Sequence, residues 1–115
     1  MIRIYGIPNC DTMRKARRWL RDHGIDHQFH DFRKQGLEPT LLREWADELG
    51  WETLLNRRGM MWRKLPADTR DRIDAGSAFR VMLESPAIIK RPLLDLGTKR
   101  VVGFSEAAYR ELFPD

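Results

Sequence analysis

The chain is short of cysteine: Cys10 is the only one in 115 residues. A lone thiol cannot form an intramolecular disulfide, so no disulfide framework supports the fold and no dithiol switch can operate within the chain. Histidine is scarce as well. His23, His27 and His30 show neither finger nor ribbon spacing with Cys10, which argues against a structural zinc site. No apolar run approaches the ~20 residues needed to span a bilayer. The opening Met1-Ile2-Arg3-Ile4-Tyr5 has no apolar signal-peptide centre. A cytoplasmic protein with no membrane partner is therefore expected. Internal repeats, low-complexity tracts and flexible linkers are also missing.

What the chain does have is a normal apolar fraction and an excess of base. Hydrophobic residues make up 42% and aromatics 10%, enough for one compact domain over residues 1–115 but not for two ordinary ones. Lys and Arg number 21 against 17 Asp and Glu, a net charge of +4 with a sequence pI near 9.6. That balance suits an anionic small molecule, an acidic protein surface or nucleic acid equally. The densest basic run, Arg14, Lys15, Arg17, Arg18 and Arg21, reads as a solvated helix face. No helix-turn-helix or basic-zipper pattern accompanies it, so direct nucleic-acid binding is not expected.

Periodicity orders the chain into elements. Residues 1–5 read as a strand; Met13, Ala16 and Leu20 recur at helical spacing from Thr12 to His23, and Gly24 stops that helix. Asp26 to Phe32 is a second strand and Arg33-Lys34-Gln35-Gly36 a turn. Pro39 opens a helix whose buried stripe is Leu41, Leu42, Trp45 and Leu49, followed by a helical turn at Trp51–Leu55. Pro66 begins a further helix running to Ala75 and stopped by Gly76, and Phe79, Met82 and Leu83 mark another that ends before Pro86. Ile88, Ile89, Leu93, Leu94 and Leu96, broken by Arg91-Pro92, form with Lys99–Val102 an antiparallel hairpin. Ser105 caps a last helix. Trp19, Trp45, Trp51 and Met82 are expected in the core. A βαβ unit followed by a ββα unit, with a helical insertion at approximately 37–85, predicts an α/β, thioredoxin-like fold with a mixed four-stranded sheet.

Cys10 falls where the first strand hands over to the first helix. Unpaired N–H groups and the positive end of the helix dipole favour a thiolate there, and thiolate is the attacking form. Arg14, one turn on, could favour the same anion; Asp11 works against it. Thr12 has a hydroxyl able to donate to the sulfur or to cap the helix. Proline in an apolar strand needs an edge, a bulge or a bend. A cis Arg91–Pro92 bond would be one such bend and would turn Arg91 toward Cys10.

These motifs resemble the arsenate-reductase-like (ArsC/Spx) family, with the closest likeness to its YffB-like branch. The resemblance spans nearly the whole chain. It rests on Tyr5-Gly6-Ile7-Pro8-Asn9-Cys10-Asp11-Thr12-Met13-Arg14-Lys15-Ala16, Leu54-Leu55-Asn56-Arg57-Arg58-Gly59, Trp62-Arg63-Lys64-Leu65, Ile89-Lys90-Arg91-Pro92-Leu93 and Gly97 to Ser105. It implies Cys10 as the attacking thiolate and Arg91 as its stabilising cation. The family's arsenate reductases surround their cysteine with three arginines. Arg91 matches one, the second falls at Asn56 with Arg57 and Arg58 beside it, and the third at about Gly103, where no cation remains. Spx regulators commonly carry a Cys-x-x-Cys switch, whereas Met13 occupies the second position here.

The resulting expectation is a glutathione-dependent monothiol reductase. Cys10 and Arg91 are its catalytic pair, and Asn9, Thr12, Arg14, Asn56, Arg57 and Pro92 are its substrate-binding set. No cofactor is bound permanently; glutathione is the cosubstrate, because external thiol must resolve what Cys10 attacks. The alternatives are an Spx-like adaptor that contacts RNA polymerase and a weak arsenate reductase.

Overall fold

The structure, a computed structural model, describes residues 1–114. Its element order is β1 (Arg3–Gly6), α1 (Asp11–Asp22), β2 (Gln28–Asp31), α2 (Phe32–Gln35), α3 (Pro39–Leu49), α4 (Trp51–Leu54), α5 (Met60–Arg63), α6 (Ala67–Asp71), α7 (Ala75–Glu84), a 3-10 turn at Pro86–Ile88, β3 (Leu93–Asp95), β4 (Arg100–Val102) and α8 (Glu106–Leu112). Two compact units result. A sheet unit combines residues 1–31 with the chain from Arg91 onward, and a helical unit runs from Phe32 to Lys90. The helical stretch is therefore wider at both ends than the expected 37–85.

In the sheet unit the four strands lie in the order β2-β1-β3-β4. The β1–β2 pair is parallel, while β1–β3 and β3–β4 are antiparallel, giving the mixed sheet of a thioredoxin-like fold. The 3.6-residue spacing of Met13, Ala16 and Leu20 turns one face of α1 onto a core with Ile4, Leu94 and Tyr109, and Trp19 joins it. Gly6 makes that packing possible at the sheet end: a β-carbon there would lie 2.5 Å from the Met13 sulfur. The hairpin is closed by an ion pair across its register, Arg100 Nε to Asp95 Oδ2 at 3.4 Å.

In the helical unit Phe32, Leu42, Trp45, Leu54, Leu55, Met82, Ile88 and Ile89 are buried. Pro39 starts α3 and Gly50, at φ +86°, ends it. Four expectations need correction. Arg33–Gly36 is not a bare turn, because Phe32–Gln35 forms one helical turn closed by the Gly36 N–H on the Phe32 carbonyl. The helix from Pro66 stops at Asp71, since Asp74 and Ser77 form a reciprocal capping box that starts α7 afresh. Gly76 lies inside α7 rather than ending a helix. Ile88 and Ile89 are not hairpin strand; Ile89 makes an isolated bridge with Leu55, and strand pairing begins at Leu93.

Candidate active site

Topology brings distant residues to one end of the sheet. Tyr5 pairs with Leu93 and Leu93 with Val102, so the loop after β1, the residues before β3 and those after β4 share that end. These are Cys10, Arg91-Pro92 and Gly103. The Arg91–Pro92 peptide is cis. Gly103, at φ +82°, donates its N–H to the Pro92 carbonyl at 2.9 Å. A side chain is strained in that backbone region, which suits glycine at this position.

Cys10 is the N-cap residue of α1, extended at φ −137° and ψ 128°, and its carbonyl accepts the Arg14 N–H at 2.9 Å. The thiol is half-buried against the core. Burial, the largest single influence, pushes its pKa up. The Met13 N–H, the Arg91 guanidinium acting by hydrogen bond and by charge, and the Thr12 N–H together outweigh it, so the thiol lies below its ordinary value. The Cys10 side chain closes no cap hydrogen bond, so these donors act on the sulfur as nearby stabilisers of its charged form rather than as a completed cap.

The other expected site residues divide by unit. Asn9 is exposed in the loop before Cys10, and Pro92 is buried beside Arg91. The cap position belongs to Cys10 rather than Thr12, whose contribution at the sulfur is its main-chain N–H. Arg14 Nη1 pairs with Asp11 Oδ1 at 3.3 Å on the exposed face of α1, and it is not among the groups that lower the thiol. Asn56 and Arg57 belong to the helical unit. The Asn56 Oδ1 accepts the Arg58 N–H at 3.0 Å, and the Arg57 guanidinium lies 5.6 Å from the Trp51 ring centre and 5.4 Å from that of Trp62.

One contributor to the site and one buried carboxylate were not marked out by the sequence. Met13 was visible only as a core residue, although its position three after the cap marks its N–H as an unpaired helix donor. Asp31, the buried charged residue among the described residues, ends β2 opposite Gly6 and was visible only as an alternating strand position. No group of three or more His, Cys, Asp or Glu able to hold a metal occurs among the described residues. Nor is any helix there long and apolar enough to cross a membrane.

Comparison with known proteins agrees with this geometry. A solved YffB protein superposes with a TM-score of 0.92 at 43% identity, covering 96% of this chain and 97% of its own. An arsenate reductase (ArsC) related protein from Brucella melitensis is 50% identical, with a TM-score of 0.80 over 99% and 95% of the two chains. The global transcriptional regulator Spx of Streptococcus agalactiae is 30% identical across 99% of this chain and 84% of its own length. The family model for ArsC matches residues 5–112. Fold, family model and relatives agree: the chain belongs to the ArsC family.

Proposed function

We propose that the protein is a monothiol, glutathione-dependent thiol–disulfide reductase. The observation that carries this reading is the convergence of the Met13 and Thr12 N–H groups and the Arg91 guanidinium on the only thiol in the chain. Cys10 thiolate attacks the glutathionyl sulfur of a mixed disulfide. A new Cys10–glutathione disulfide forms and the substrate leaves as its thiolate. Reduced glutathione then attacks that bond, releasing oxidised glutathione and restoring the Cys10 thiolate. Two electrons and the atoms balance across the two exchanges, and the oxidant is the substrate disulfide. Arg91 stabilises the charge at the start and end of each cycle.

Mass spectrometry after incubation with oxidised glutathione tests this reading. One glutathionyl group is expected on wild type and none on Cys10→Ser, and reduced glutathione should remove it with release of oxidised glutathione. An unmodified wild type, or an adduct that reduced glutathione leaves in place, overturns the proposal.

The Spx relative favours a second reading, in which the same fold acts as an adaptor contacting RNA polymerase through the surface around Arg91. A pull-down that recovers polymerase subunits with wild type but not with Arg91→Ala, from a protein without glutathione turnover, would select it. Arsenate reduction is the weaker reading because the position of the third arginine is Gly103.

A further inference from the structure

The helical unit holds a groove unconnected with thiol chemistry. It has a volume of about 520 Å³, within the range of small-ligand sites. Its walls come from Arg43 and Asp47 of α3, Trp51 of α4, and Gly76, Phe79 and Arg80 of α7. The Trp51 and Phe79 side chains are half-buried, so Trp51 is a wall of this groove rather than the core residue its sequence context suggested.

Charge and shape in the groove are complementary to one kind of guest. Arg43 is held with its guanidinium carbon 4.6 Å from the centre of the Phe79 ring, which orders the cation in advance of any ligand. Among the described residues neither Arg43 nor Arg80 forms an ion pair with a carboxylate. With Asp47 the lining keeps a single net positive charge, and the Asp74 carboxylate at its edge lies in the field of Arg80. Gly76 adds an independent observation. Glycine in a helix interior costs up to about 1 kcal/mol relative to alanine, and Gly76, in the first turn of α7, carries a smaller part of that cost. Neither backbone nor packing demands it at this position, where no positive φ occurs. A β-carbon there would make only ordinary contacts, 3.6 Å from Asp74 Oδ1 and 3.8 Å from Arg80 Nη1. What glycine preserves is open space bordered by the Arg80 guanidinium on one side and the Asp74 carboxylate on the other.

We propose that this groove binds a small organic monoanion with a flat apolar body, its carboxylate between Arg43 and Arg80 and its body against Trp51 and Phe79. Binding of 2-naphthoate to the full chain, followed by amide chemical shifts and by isothermal titration, tests this. Saturation at one equivalent is expected at about millimolar concentration or below, with shifts centred on α3 and α7. Arg43→Gln, Arg80→Gln and Gly76→Leu should each weaken it by about tenfold, as should replacing the probe with neutral 2-naphthamide. Far-UV circular dichroism and the chemical-denaturation midpoint report retained folding of the helical unit in every variant. The proposal fails if 2-naphthoate does not saturate by about 10 mM, or if the amide binds as well as the acid. It fails equally if all three variants bind like wild type. A capped Phe-Asp dipeptide binding at least about tenfold tighter than 2-naphthoate would also overturn it, assigning the groove to a protein partner.

Discussion

Arg91 of the sheet unit and Arg43 of the helical unit are used in opposite ways. In the sheet unit Arg91 faces a sulfur, and the other groups that lower the thiol, the Thr12 and Met13 N–H groups, belong to the same unit. In the helical unit Arg43 lies over Phe79, and Arg57 lies near both Trp51 and Trp62. One arrangement concentrates positive charge on an atom that can carry a negative one. The other spreads it over aromatic faces, where a guanidinium contributes adhesion without changing the protonation of a neighbour. The same residue type therefore signals chemistry only when a titratable partner is within its field.

The sharpest way to break that division is to damage the helical unit and watch the thiol. Trp45 is fully buried there, and Trp45→Ala should cost about 3–5 kcal/mol in chemical denaturation. Under native conditions the Cys10 titration should stay where it is in wild type. A titration that moves would mean the helical unit helps set the thiolate. Gly103→Ala strikes the sheet unit instead. It should cost about 1–2 kcal/mol, read from the denaturation midpoint, because alanine is strained at a positive φ.

Arg91→Ala sharpens the electrostatic half of the comparison. Arg91 lowers the Cys10 pKa, so its removal should move the titration upward. Alkylation by iodoacetamide tracks thiolate. It should therefore be slower in the variant at neutral pH and converge with wild type once the pH exceeds both pKa values. An unchanged profile would remove Arg91 from the mechanism. The smallest effect belongs to Asp74 in the helical unit. Its carboxylate is held below the usual value, first by the Ser77 N–H and then by the Ser77 hydroxyl. A depressed folded-state pKa means that the capping contribution is complete above the unfolded-state value and is lost as pH falls through the folded one. Amide exchange at Ser77, corrected for intrinsic rates, should accelerate over that acidic window in wild type and show no such step in Asp74→Asn.

Much of this was legible in the sequence because the signals are local. The stripe of Met13, Ala16 and Leu20, Pro39 at a helix start and Gly24 after a helix end each follow from a few neighbouring residues. Cys10 was legible as a helix-start thiol for the same reason, and Arg91 through its place before Pro92. The misreadings arose where two local signals compete. Pro66 and the apolar residues after it suggest one continuous helix, but Asp74-Ala75-Gly76-Ser77 contains a stronger start signal that divides it. Ile88 and Ile89 have strand character yet precede the cis Arg91–Pro92 bond, and they are buried in the helical unit instead. Arg14 and Arg57 could not be placed by spacing alone. An acidic neighbour claims one and two tryptophan rings flank the other, contacts that depend on rotamers rather than on order along the chain.

The position of β1 between β2 and β3 also has a consequence for biosynthesis. One neighbour of β1 precedes the helical unit in the chain and the other follows it. A growing polypeptide therefore contains the β1, α1 and β2 segments early, while Arg91 and β3 arrive only after the whole helical unit has been synthesised. Closing that long-range antiparallel pair is the entropically late event. An unfinished chain contains Cys10 without the Arg91 guanidinium that lowers its pKa in the complete fold. Full activation of the thiol is thus deferred until the sheet is complete.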